Sequence, residues 1–175
     1  MKELLIAENF SEVVDIDLSS IQITQEIRDR CADNYCGFYG KNHMCPPSVG
    51  DLDAYKDIIL SYKKGLLFSN VYEVEDKYDY EGMVEGGLKF REQIQEIMKE
   101  EKSKGTDCLF FSAGTCSICK ECAILTDEPC RFPTEAIPSL EAAGIDVVQL
   151  SRAHNMTYNN GPNKVTYFGL MLYTN

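Results

Sequence analysis

Histidine is scarce in this chain, with only His43 and His154 among 175 residues. A histidine-rich metal site or a Ser-His-Asp hydrolase therefore has little material to work with. Positive charge is scarce too: 17 Lys and Arg stand against 28 Asp and Glu, a formal net charge of -11. A nucleic-acid module needs the opposite sign gathered on one face, so nucleic acid is excluded as a partner. No polybasic run exists to seek an anionic membrane, and no unbroken apolar stretch approaches the roughly 20 residues that span a bilayer. At the N-terminus only Leu4 to Ala7 is apolar before Glu8, short of the about 7 to 15 residues of a secretory h-region. The expectation is a cytoplasmic protein with no membrane role. Internal repeats and low-complexity segments are missing as well. Gly82-x3-Gly86-Gly87 lacks the strand, Gly-x-Gly-x-x-Gly and helix context of a dinucleotide site and reads as a turn.

Cysteine, by contrast, is plentiful. Eight cysteines fall into two clusters and one outlier. The first cluster is Cys31-x4-Cys36-x8-Cys45-Pro46-Pro47; the second is Cys116-x2-Cys119-x2-Cys122-x7-Cys130-Arg131-Phe132-Pro133. Cys108 stands apart. An even count permits a disulfide framework, but a reducing cytosol disfavours one. At 44% hydrophobic content over 175 residues, the chain can also build a core without such staples. Successive ligands two residues apart let a turning backbone aim their sulfurs at a common centre, and C-x2-C-x2-C supplies three corners of a 4Fe-4S cubane in this way. Cys130 is available as the fourth corner. An all-thiolate zinc site on the same four residues is the alternative, since structural zinc pairs C-x2-4-C with a distant second pair. The third close cysteine argues for a cluster that spreads its metal atoms.

The first cluster offers only three thiols. Its fourth position falls to Cys108, to a water, substrate or non-cysteine side chain on an open iron, or to a ligand exchanged between the loops. Cys108 lies in the apolar run Asp107-Cys-Leu-Phe-Phe111 and reads as a small core residue. Arg131 follows a proposed ligand directly and is a candidate for hydrogen bonds to cluster sulfur or for receiving an anionic substrate. An ordinary ion pair is the equal alternative.

Ser48 is expected to cap a helix that Asp51 helps to open, with Leu52, Tyr55, Ile58, Ile59 and Tyr62 at helical spacing, and a strand follows over 66–74. An acidic connection spans 76–85, an amphipathic helix runs from about 86 to 104, and a strand covers 109–112. Beyond the second cysteine loop, short helices are expected from Pro138 to Gly144 and from Asp146 to about His154. The turn formers Asn159 to Asn163 join two strands, and 165–173 closes as a strand. Strand, helix and strand with such connections predict an α/β single domain over 1–175, with a mixed, partly parallel sheet flanked by helices. It carries two cysteine-rich loops, 31–47 and 114–133, the second leaving the sheet at a strand's C-terminal end.

Cys36-Gly-Phe-Tyr-Gly-Lys-Asn-His-Met-Cys-Pro-Pro47, Asp79-Tyr-Glu-Gly-Met83, Ala113-Gly-Thr-Cys-Ser-Ile-Cys-Lys-Glu-Cys122, Pro129-Cys-Arg-Phe-Pro133, Pro138-Ser-Leu-Glu-Ala142 and Val165-Thr-Tyr-Phe-Gly169 together resemble a prokaryotic family. That family is a domain of unknown function labelled predicted metal-binding protein, and the resemblance covers nearly the whole chain. It implies metal binding through the cysteines and supplies no reaction. Three readings follow. The first is an iron-sulfur protein with one or two 4Fe-4S clusters that passes electrons to a redox partner. The second is an enzyme whose open-site cluster activates a small-molecule substrate. The third is a zinc-stabilised interaction module.

Overall fold

Leu66, Phe68, Phe110, Met171 and Tyr173 fall in one buried apolar group, and Leu67, Phe111, Leu170 and Leu172 in another. Alternation along a pleated strand puts successive side chains on opposite faces, so these strands are buried on both faces. The computed structural model describes residues 1–174; Asn175, which the expected 1–175 domain includes, lies outside the described residues. The strands are β1 (Glu12–Ile16), β2 (Lys64–Glu73), β3 (Cys108–Phe111) and β4 (Lys164–Tyr173), and the helices are α1 (Lys2–Ala7), α2 (Gln25–Asp29), α3 (Leu52–Ser61), α4 (Tyr80–Ser103) and α5 (Val147–Ala153).

The sheet order is β1-β2-β4-β3, and every pair in it is antiparallel, with Leu67 opposite Leu170 and Phe110 opposite Met171. The expected partly parallel sheet is therefore corrected. The reason is long-range. β2 and β3 do run in the same direction across the α4 connection, since both oppose β4, but the last strand inserts between them and takes the hydrogen bonds of each.

Helices cover both faces. Phe90, Ile94, Ile97 and Met98 of α4 pack with Leu5 of α1 and Phe10 against one side. Ile59 of α3, Leu140, Ala143 and Ile145 of the 137–145 segment and Leu150 of α5 cover the other. Among the described residues no helix is long and apolar enough to cross a membrane.

Four local expectations change. α4 begins at Tyr80 rather than near 86, because Asp79 caps it by accepting from Gly82 N at 2.8 Å. The glycines read as a turn thus lie inside the helix. At Gly86 a Cβ would stand 3.0 Å from the Tyr72 ring, so the missing side chain lets α4 sit close on the sheet. Residues 138–144 form no helix, because their backbone is engaged elsewhere: Ser112 N donates to Pro138 O at 3.1 Å, Leu140 N to Ser112 O at 3.1 Å, and Thr24 N to Gly144 O at 2.8 Å. The 159–163 segment joins α5, not a strand, to β4. Nor does Ser48 cap α3; Asp51 precedes that helix, and Ser48 N donates to Cys45 O at 3.1 Å.

Candidate metal centre

The first cysteine loop is launched by α2. Thr24 Oγ1 accepts from Ile27 N at 3.3 Å, and the chain tightens into a 3-10 turn over Arg30–Asp33 that carries Cys31 and ends on left-handed Asn34. Asn34 Oδ1 accepts from Tyr39 N at 3.0 Å, and Gly40 N donates to Pro46 O at 2.9 Å, closing the loop on itself. Cys36 is exposed and Cys45 buried. From α2, Arg28 reaches across to the carbonyls of Gly50 and Ala142, its Nε donating to Ala142 O at 2.8 Å. That guanidinium pins the end of the loop to the 137–145 segment.

The second loop leaves β3 at Phe111, at the C-terminal end of that strand. Its two ends are held together where Ser112 pairs with Ser139, so residues 113–138 form a closed excursion. Within it Cys116, Cys119 and Cys122 follow one another into a 3-10 turn over Ala123–Thr126, and Ala123 is buried as the anchor. Cys130 returns beyond that turn.

The two loops, about 70 residues apart in the chain, lie against each other. Asn42, itself buried, donates through Nδ2 to Cys116 O at 2.9 Å while its Oδ1 accepts from Met44 N at 2.9 Å. His43 N donates to Cys122 Sγ at 3.4 Å, and His43 Nε2 donates to Glu128 O at 2.9 Å. Cys45 Sγ lies 3.0 Å from Thr115 Oγ1. His43 thus serves as a brace between the loops, with one ring nitrogen committed to a carbonyl.

The cysteines sort into two compartments on either side of that contact. Cys116, Cys119, Cys122 and Cys130 all line a small pocket of about 20 Å³, walled by Asn42, His43 and Phe132. Cys31, Cys36 and Cys45 all line a cavity of about 420 Å³ that also takes in Thr115, Glu141 and Tyr158. Among the described residues no three His, Cys, Asp or Glu side chains are grouped so as to hold one metal ion. Cys108 belongs to neither compartment; it pairs with Tyr173 across β3 and β4 and is buried among Leu5, Phe110 and their neighbours.

Burial sets the electrostatics. It pushes the Cys45 thiol up to about 11, against the lowering effect of the Thr115 contact and with neighbouring thiols adding to the rise. Burial likewise raises Cys31, where Glu141 adds to the rise, and Cys116. At Cys116 the backbone groups of Ile118 and Ile137 work against that rise and favour the thiolate. Glu141 is half-buried, and desolvation pushes its carboxyl upward.

Sequence reading missed three of these groups, Asn42, Glu141 and Arg91. Arg91 comes from α4, half-buried, with Nε donating to Ser117 Oγ at 3.3 Å and Nη1 to Ala113 O at 3.4 Å. Gly114 makes room for it: with φ at +73° it adopts a backbone few other residues tolerate, and a Cβ there would stand 2.7 Å from Arg91 Nη1. Burial lowers the proton affinity of Arg91, and the nearby Cys116 counters that. The spacing of Arg91 on an amphipathic helix gave no hint of this, because its partners lie 22 and 26 residues on. Arg131, the neighbour of Cys130, is exposed and donates through Nη1 to Glu121 O at 3.0 Å, bracing the loop from outside.

No curated protein and no solved structure matches the chain. A family model does, over residues 14–173, which takes in both cysteine loops and all four strands but for the start of β1. By that match the chain belongs to the family described as predicted metal-binding protein (DUF2284).

Proposed function

We propose that the chain is an iron-sulfur protein, with Cys116, Cys119, Cys122 and Cys130 holding one 4Fe-4S cluster and Cys31, Cys36 and Cys45 supplying three corners of another. One observation carries this reading: seven of the eight cysteines line two adjoining compartments, sorted as the sequence clusters them, while Cys108 is left in the core. The donor set fits. Thiols are the ligands that iron-sulfur clusters use, and the backbone N-H of His43 already donates to Cys122 sulfur at 3.4 Å. Three cysteines at two-residue gaps in one loop suit a multi-atom cluster better than zinc, which needs four ligands on one centre. When bound, such clusters supply one-electron transfer, and an iron lacking a protein ligand supplies Lewis acidity as well.

The rest falls to the polypeptide. Asn42 and His43 hold the loops at a fixed separation, Arg91 sets positive charge beside the second site, and Phe132 and Ala136 help close that pocket to water. The second site is thereby suited to passing electrons. The first opens onto space large enough for a small molecule, which favours a catalytic role for it. A net charge of -11 suits a basic redox partner.

Anaerobic purification followed by iron, sulfide and zinc counts tests the reading. About four iron and four sulfide per cluster are expected, with a brown absorption that bleaches on dithionite. Cys108→Ala should leave the counts unchanged, whereas Cys130→Ala should remove those of the second site. Stoichiometric zinc in a colourless protein that loses its fold with chelator would overturn it. If the first site is catalytic, the reduced protein's EPR spectrum changes when small ligands are added.

A further inference from the structure

The cavity beside the first three thiols contains an acidic group the metal centre does not account for. Glu141 lines it, half-buried, alongside Cys31, Ser139 and Tyr158, and among the described residues no lysine, arginine or histidine pairs with its carboxyl. A carboxylate drawn partly out of water without a cation of its own gains from pairing with one. The cavity's other charged side chains are already occupied. Asp146 caps α5, accepting from Gln149 N at 2.9 Å and Gln149 Nε2 at 3.0 Å. Arg30, the one basic residue at the rim, is paired to Glu26 at 2.9 Å. An anion entering here would meet Glu141 and thiols, and among the described lining residues its one cation, Arg30, lies exposed at the rim and bridged to Glu26.

Most of the remaining surface is apolar and aromatic. Ile27, Ile145, Val147 and Val148 offer aliphatic wall, and Tyr158 presents a ring held in place by stacking on Phe168, at 5.6 Å between centroids and 12° between planes. A carboxylate, a fixed aromatic ring and an aliphatic wall are the elements that recognise a positively charged nitrogen with a hydrocarbon body. The volume of about 420 Å³ falls within the range of small-molecule sites.

We infer that this cavity binds a small organic cation of the alkylamine or alkylammonium class, its charge on Glu141 and Tyr158 and its hydrocarbon part on the aliphatic wall. The inference names a ligand class for the first site of the proposed iron-sulfur protein, but the recognition belongs to side chains that bind no metal. Failure of either idea can therefore be told from failure of the other.

Calorimetric titration of the full-length chain checks it, with the protein purified anaerobically and again after chelator treatment. The probes are n-butylammonium, tetramethylammonium, n-butanol and butyrate. At least one of the cations should bind tenfold or more tighter than the alcohol and the carboxylate in one or both forms. Glu141→Gln should cut that affinity at least tenfold while leaving the alcohol's binding unchanged, and Tyr158→Leu should weaken tetramethylammonium more than butanol. Equal binding of cation and alcohol, preference for butyrate, no binding of any probe, or an unchanged affinity in a folded Glu141→Gln chain would overturn the inference. Should that variant not fold, the preference among probes in the unaltered chain decides alone. Iron counts have no bearing on any of these outcomes.

Discussion

Arg91 shows how one side chain can matter to a metal centre it does not ligate. Its guanidinium is half-buried, tied to Ser117 Oγ and Ala113 O, and close enough to Cys116 for their charges to interact. A fixed positive charge beside a cluster stabilises the more negative, reduced form. Arg91→Met keeps much of the apolar stem and removes the charge. The reduction midpoint of the second site should move to more negative values, by about 59 mV if about 1.4 kcal/mol of charge stabilisation is lost in a one-electron step. Arg91→Lys should recover most of the shift. A redox titration followed by EPR reads both variants, and an unmoved midpoint would reduce Arg91 to packing.

At the scale of elements, α4 owes its C-terminal anchorage to a buried acid. Glu101 accepts from Lys104 Nζ at 2.8 Å and from Thr106 Oγ1 at 2.9 Å, and although it is 5% exposed it makes these bonds within one turn of the helix end. The Lys104 bond is the main cause holding its carboxyl below the ordinary carboxylate value. A depressed folded-state pKa contributes stability that is present above the unfolded value of about 4.3 and is lost as pH falls through the folded value. Glu101→Gln should therefore lower the melting temperature at pH 7, and the gap to the unaltered chain should narrow as the pH is taken from about 5 to 3. Thermal melts across that range test the sign. Elements of this sort differ in how far they could be read beforehand. β2, β4 and α5 were legible because burial imposes a period on nearby residues. The antiparallel order was not, since it depends on where β4, ninety residues after β2, inserts. The cysteines announced their own grouping through spacing. Asn42, Arg91 and Glu141 did not, because a polar side chain's partners across loops leave no periodic trace.

Taken whole, the molecule separates what holds the fold from what would hold metal. Phe68, Phe90, Phe111, Leu170 and their neighbours fill both faces of the sheet without help from Cys31, Cys36 or the second cluster; of the cysteines Cys108 joins those apolar groups, while Cys45 is buried apart from them. The cysteine loops, by contrast, are tied by individual polar contacts, to each other through Asn42, His43 and the Cys45–Thr115 pair and to the helices through Arg28 and Arg91. Local stability follows the density of buried apolar contacts, so such loops open at lower cost than the sheet. Metal removal should therefore leave far-UV circular dichroism nearly unchanged, unlike a zinc finger that unfolds with chelator. Amide exchange should keep its protection in β2 and β4 while accelerating over 34–49 and 115–130. Because the loops brace one another, Cys130→Ala, which acts on the second compartment, should also speed exchange around Asn42 and Cys45 in the first loop. Protection retained there would show that the two sites are merely adjacent, and global unfolding on chelation would show that metal, not the apolar core, holds the sheet together.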